Sequence, residues 1–558
     1  MISPGTRPGH SDAILDYIKK QTVIFSKDVN ELSNAVNKIN LQDTVSINPA
    51  IQALKKARIQ YKRISFFLDY FYPFDGKLYN SPAKREVEEP FLEYEEPRGF
   101  QVIEAELFKR HAEKNKRYLK DELVVLKESS DDLLSVYFGF EGSDAQVLES
   151  MRIELIRIMT LYISGFDAPI LKTGIMESLS AIESMKAINK IISNVEDTAL
   201  SERLRAAAQY LRNPVGFDRF DRLEFLTAYA IPLEEALGKY IKNNGLELNT
   251  SKYLDYNGGN LFREEVKMRG SETNKEMSSL GKKLFFDFSL SGNHVRSCSS
   301  CHQPGKYFTD QQGLNRTLDN SRFLKRNTAT LIYSGYQFAQ FWDGRAETLS
   351  DQAHDVLMNK EEMAFQTDSG RHISMDTIQA ALAAYIRTLA PMNSSFDRFM
   401  NGEKNALSEE QKKGFNLFMG KAACGTCHFA PVFNGSTPPF YNRTEYEVLG
   451  VPEKNNAQRN KLDPDLGRYT VYPVDVYRRA FKTPTVRNVQ FTQPYMHNGV
   501  FKNLDEVMNF YNLGGGRGMG LKVPEQSLPD KPLHLSKKEK LAIIAFLNAL
   551  TDSLNNIN

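Results

Sequence analysis

The chain has 558 residues, enough for three or four domains at roughly 150 residues each. Its 71 basic and 69 acidic side chains leave a net charge of only +2, which excludes the basic footprint of a nucleic-acid binder. The longest strongly apolar stretch, Leu541 to Leu550, is about half of the roughly 20 residues that a membrane-spanning helix requires, so no transmembrane segment is expected.

The first residues, MISPGTRPGH, lack the apolar core of a signal peptide, so the chain reads either as cytoplasmic or as a processed form without its leader. Residues 11 to about 255 read as helices. Phe25, Val29, Leu32, Val36 and Ile39 share one helical face, and Asn48-Pro49 places a cap before a proline at the first helical position, opening a second apolar-periodic run to Phe71. Residues 1–270 are therefore expected to form a helical bundle. Between Tyr79 and Arg98 the pattern breaks into KREVEEPFLEYEEPRG, read as a solvated connection rather than a metal-binding loop. The polar, glycine-containing YNGGNLFREEVKMRGSETNK, from Tyr256 to Lys275, marks a domain boundary.

Two similar units follow, 277–395 and 396–558, each with a helix, a CxxCH cluster and a loop-rich stretch with further short helices. Their boundary is placed near residues 393 to 405. Ser408 with Gln411 and Ser536 with Glu539 form capping-box patterns that start the helix before the second cluster and the C-terminal helix. The fold class is thus mainly α: a helical bundle followed by two cytochrome c-like domains with loop-rich connections.

All four cysteines lie in CSSCH and CGTCH, as Cys298/Cys301 before His302 and Cys424/Cys427 before His428. Two thiols three positions apart can each form a thioether to a porphyrin vinyl group, and the next residue puts its imidazole on the iron. The alternative is a four-cysteine zinc site or two unrelated CxxC turns; a histidine directly after each pair favours two covalent haem c groups. His302 and His428 are then the proximal iron ligands. Such attachment is completed outside the bacterial cytoplasm, which points to a periplasmic protein whose leader has been removed.

The segments LGKKLFFDFSLSGNHVRSCSSCH, RNTATLIYSGYQFAQFWDGRAETLSDQA, KEEM, AAYIRTL, FDRF, FKTPTVRNV and PYMHNG occur in an order and spacing that resemble the bacterial di-haem cytochrome c peroxidase family, including its MauG branch. The resemblance covers roughly residues 277 to 552. It implies a distal acid at Glu362 of KEEM, with Gln352 of LSDQA as its neighbour and Glu361 as the fallback in an adjacent register. It implies that Trp342 of QFWDGR lies between the two haems and relays charge. Family members that need reductive activation carry a blocking histidine after the first motif; no histidine lies between His302 and His354, so the first iron is expected to be open or water-bound.

For the second haem, the resemblance puts the distal ligand some fourteen residues after His497 of PYMHNG, at Tyr511, as in the MauG branch, where a tyrosinate favours high-valent over ferrous iron. Met496 and Met508 are the alternatives. An inter-haem calcium site is implied at Asn327, Thr492 and Pro494, whose amide and carbonyl oxygens suit a hard cation. A weaker echo, EEPRGFQVIEAELF, looks like the GxHxxE region of imelysin-like helical proteins, with Gln101 in place of the histidine, which leaves a docking role for the bundle.

The functional expectation is a peroxidase that reduces hydrogen peroxide at the first haem while the second stores or relays oxidising equivalents. A small cytochrome or cupredoxin would donate electrons. The alternatives are a MauG-like enzyme that oxidises a partner-protein side chain, and a non-enzymatic di-haem electron carrier with both irons six-coordinate.

Overall fold

The computed structural model describes residues 9–88, 91–193, 199–213, 215–248, 254–255, 261–262, 267–268, 274–366, 373–456 and 461–554. The chain divides into two compact units, 1–250 with 256–261 and 251–255 with 262–558. The expected boundary from Tyr256 to Lys275 falls largely outside the described residues, as do residues 1–8 of the opening segment. No helix among the described residues is long and apolar enough to cross a membrane.

In the first unit, helix α1 (Ser11–Asn37) turns Ile14, Ile18, Phe25, Val29, Leu32 and Val36 inward, the three- and four-residue spacing of one helical stripe. It packs on α2 (Asn48–Tyr61) and on α4 (Lys116–Val136), with α3 (Phe100–Leu107) between them in sequence. Phe25, Tyr61, Tyr79 and Phe100 form an aromatic centre, with Phe25 5.2 Å from Tyr79 and 5.5 Å from Tyr61 between ring centroids. The acidic segment after Tyr79 contains a short antiparallel pair, β1 (Glu86–Glu88) and β2 (Glu93–Glu95). Its alternation of acidic and apolar residues follows the two-residue period of a strand.

Helices α5 (Asp144–Arg157), α6 (Gly174–Ser193), α7 (Ala199–Leu211) and α8 (Ile231–Asn243) complete the unit. Glu104, in the imelysin-like stretch, is fully buried. Its Oε1 accepts the amides of Ile170 and Leu171 at 2.6 and 2.8 Å, and its Oε2 lies 3.5 Å from Nη1 of Arg58. Arg58 also donates through Nε to Glu177 at 3.0 Å, and Lys62 binds Asp167 at 2.5 Å. Two cations thus offset part of the charge of three carboxylates, and burial raises the pKa of Glu104. Gln101 donates to the carbonyl of Asn80 at 3.4 Å.

After the short pair β3 (Leu254–Asp255) and β4 (Lys267–Met268), both CxxCH clusters lie in the second unit. Its two halves repeat one packing device. Helix α9 (Lys275–Phe285), capped by Asn274, crosses α11 (Met375–Arg387) so closely that a Cβ at Gly281 would stand 1.8 Å from the carbonyl oxygen of Ala381. Helix α13 (Glu409–Met419) crosses α15 (Lys537–Ala549) in the same way, and a Cβ at Gly414 would stand 1.9 Å from the oxygen of Ala542. Both capping boxes read from the sequence form, Ser408 with Gln411 and Ser536 with Glu539. Phe396 on α12 (Ser395–Met400), Phe415, Phe418, Phe433 and Phe546 fill the space beneath the second cluster, Phe418 and Phe546 being 5.2 Å apart.

The halves are joined by a buried polar clamp. Asp552 accepts from the Tyr333 hydroxyl at 2.7 Å and from Nδ2 of Asn488 at 3.0 Å. Arg487, with no exposed surface on its side chain, makes a bidentate pair with Asp397 at 2.9 and 2.6 Å.

Candidate functional site

The first motif begins where Ser297 and Ser300 form a capping box, starting the single turn Cys298–Cys301. No disulfide links the four cysteines. The chain then doubles back through Tyr307 and Phe308, both in the left-handed region (φ 53° and 57°), which brings the Phe308 carbonyl to 3.0 Å from Nδ1 of His302. Nδ1–H donates to that oxygen, which leaves Nε2 as the ring nitrogen with a lone pair to offer a metal. Desolvation lowers the pKa of the ring and keeps the imidazole neutral, the form that binds metal. Asn315 reaches the same site and donates to Sγ of Cys301 at 3.1 Å and to Asp310 at 3.0 Å.

The second motif repeats the arrangement with different residues. Nδ1 of His428 lies 3.3 Å from the Phe433 carbonyl and 3.1 Å from that of Pro484, and desolvation pushes its pKa down to about 4. Two CxxCH turns without disulfides, each followed by an imidazole whose Nδ1 is engaged by a backbone carbonyl, fit covalent haem c. Among the described residues no group of three or more His, Cys, Asp or Glu is placed to hold a metal ion, so the four cysteines do not form one zinc site.

Glu362 sits in the turn after α10 (Leu349–Met358). That turn is stitched to the first motif's approach: Gly292 N donates to Met363 O at 2.8 Å, Leu318 N to Glu361 O at 2.7 Å, and Arg296 to Glu362 O at 3.3 Å. Oε2 of Glu362 is buried without a hydrogen-bond partner. Burial raises its pKa, opposed by the nearby Arg345 and Arg296, and its charge helps to push up the Cys301 thiol. The adjacent Glu361 is instead paired with Arg322 at the surface. Gln352 lies half-buried on α10, and among the described residues no hydrogen bond links its side chain to Glu362. His354 faces solvent on the same helix, in contact with Gln379 at 2.8 Å.

Trp342 is pinned at two points. Its Nε1 donates to the Asn327 carbonyl at 3.0 Å, and its own carbonyl accepts from Lys482 N at 2.7 Å. Lys482 belongs to the antiparallel pair β5 (Tyr446–Glu447) and β6 (Phe481–Lys482). Asn327 N in turn donates to the His497 carbonyl at 2.6 Å, and Nδ2 of Asn327 to the carbonyls of Gln312 and Gly313. A Cβ at Gly499 would stand 2.8 Å from Gly313 Cα and 3.1 Å from Pro494 Cγ, so Gly499 borders both Pro494 and the Gly313 that Asn327 binds. Between Thr492 and Pro494, Oε1 of Gln493 is buried without a hydrogen-bond partner. Such an oxygen suits a hard cation, and sequence reasoning missed it.

Tyr511 lies on α14 (Leu504–Leu513), which Asn503 caps. Its hydroxyl pKa is raised by burial and then by Cys427, Cys424 and Glu447, which places the phenol beside the second motif. Met508, on the same helix, is buried, and Met496 occupies the left-handed region at φ 71°. The His497 ring stacks on Phe481 at 3.7 Å and contacts Asp463 through Nε2 at 3.1 Å. Glu447, also missed, is nearly buried with Oε1 3.6 Å from Sγ of Cys427.

Residues 275–371 match the family model described as di-haem cytochrome c peroxidase. The chain is similar to cytochrome-c peroxidase IdrP2 of Denitromonas iodatirespirans, at 34% identity over 51% of this chain and 84% of that protein. It is similar to methylamine utilization protein MauG of Methylorubrum extorquens, at 32% identity over 49% and 78% of the two chains. Among solved structures, a MauG-like protein associated with microbial copper homeostasis aligns at 26% identity over 51% of this chain and 90% of that one, with a TM-score of 0.43.

Proposed function

Because the chain belongs to the di-haem cytochrome c peroxidase family, and is thereby an oxidoreductase, we propose that its first motif is where hydrogen peroxide is reduced and its second is where oxidising equivalents are stored or relayed. The family implies two haem c groups, one attached through Cys298 and Cys301 with His302 as ligand, the other through Cys424 and Cys427 with His428. When bound, haem iron supplies exchangeable electrons and an open face for peroxide.

The protein's share of the chemistry is proton movement and positioning. Reducing one peroxide to two waters consumes two electrons and two protons. Glu362 takes the proton of one peroxide oxygen on Oε2 and returns it to the other, so that water is the leaving group. A carboxyl whose pKa is raised by burial both accepts and releases that proton readily. Gln352 flanks this acid. Trp342, held by Asn327 and Lys482, is the relay between the motifs. Asn327, Thr492 and Pro494 form the calcium site, with Gln493 as a further oxygen donor.

The observation that carries this reading is the asymmetry of the two motifs. A buried carboxylate oxygen without a hydrogen-bond partner stands beside the first, and a half-buried tyrosine beside the second. A tyrosinate ligand at Tyr511, rather than Met496 or Met508, stabilises oxidised iron and favours a partner-protein side chain as the electron source over a small cytochrome or cupredoxin. Residues 1–270 serve as a docking unit for that partner, and thioether attachment places the enzyme in the periplasm. Rapid mixing with peroxide tests the reading: the wild-type protein should be oxidised at both sites in one turnover, and Glu362→Gln much more slowly. Equal rates in the two would remove Glu362 from the mechanism.

A further inference from the structure

The pair β5–β6 sorts its side chains by face. In an antiparallel pair directly opposed residues share a face, so Glu447 and Phe481 lie on one side and Tyr446 and Lys482 on the other. On the second side Lys482 is directed to Gln337. On the first side Phe481 carries the His497 ring, and Glu447 puts Oε1 3.6 Å from Sγ of Cys427. That carboxylate therefore stands at the attachment sulfur that directly precedes His428 in the sequence.

We propose that Glu447 is a positioning residue of the second haem, its buried carboxylate lowering the reduction potential of that iron selectively. An anion fixed in a poorly solvated site stabilises the more positive, oxidised state of a neighbouring iron. The charge sits at the attachment sulfur, so it acts on the second iron and leaves the first little changed. This rests on the reading that Cys424, Cys427, His428 and Tyr511 surround that group, and it deepens that reading by naming what keeps the site oxidised.

Spectroelectrochemical titration of the di-haem holoprotein tests it. Glu447→Gln should raise the midpoint of the second haem enough to change its ferric-to-ferrous ratio about ten-fold at fixed potential, about 59 mV for one electron, with the first midpoint unchanged. Glu447→Asp, which keeps the charge, should stay close to wild type. An unchanged second midpoint in Glu447→Gln overturns the proposal, and so does an equal shift in both variants, which would assign the effect to packing. The underlying reading fails separately: if Tyr511→Phe leaves the low-spin ferric signal of the second haem intact, Tyr511 is not its ligand, whatever Glu447 does.

Discussion

Nδ1 of His302 lies 3.0 Å from the carbonyl oxygen of Phe308, a contact made possible by two consecutive left-handed residues, whereas Nδ1 of His428 lies 3.3 Å from the carbonyl of Phe433 and 3.1 Å from that of Pro484. A histidine held by its own loop through Nδ1 is oriented before any iron arrives, with Nε2 as its remaining ligating atom.

The first expected outcome follows from that arrangement. Replacing Cys298 and Cys301 together by alanine should remove one haem by pyridine haemochrome assay and leave the other, and replacing Cys424 and Cys427 should do the converse. A count of two in either variant contradicts the attachment.

Glu362→Gln should retain both haems and slow peroxide reduction by roughly 10²–10⁴-fold, the usual worth of a positioned proton carrier. Burial raises the Glu362 pKa, so the ionised base is lost as pH falls through a value above the usual glutamate range. The wild-type rate should therefore fall on mild acidification, and the limb should vanish in Glu362→Gln. A pH profile unchanged by the substitution would assign the limb to another group.

Asp397→Ala leaves the Arg487 guanidinium buried without its bidentate partner. A loss of about 3–5 kcal/mol is expected in denaturant unfolding of the holoprotein. Burial raises the Asp397 pKa, but Arg487 outweighs it and the net shift is downward. The stabilisation is then complete above the unfolded carboxyl pKa of about 3.9 and is lost as pH falls through the lower folded value. The gap between wild type and variant should close on strong acidification.

The residues differ in how far the sequence reveals them. CxxCH is legible because thioether chemistry fixes the spacing, and the caps at Ser408 and Ser536 because a hydroxyl three residues before Gln or Glu satisfies the same amides in any protein. The helical class follows from apolar periodicity, as the stripe from Ile14 to Val36 shows. Glu361 and Glu362 look alike in KEEM. Their difference comes from the turn at Asn359, which turns one to Arg322 and buries the other. Gly281 and Gly414 reveal nothing until α11 and α15 come within contact of them, and Glu447 reads as an ordinary loop acid until β5 pairs with β6. The Arg58–Glu104 pair is equally invisible, because its partners lie on separate helices.

The most direct test of the account is the electron paramagnetic resonance spectrum of the resting ferric protein. It should show a high-spin signal from an open or water-bound first iron beside a low-spin signal from the second, and Tyr511→Phe should abolish only the low-spin one. Two low-spin signals, both unchanged by Tyr511→Phe, would contradict the account and make the protein a six-coordinate electron carrier.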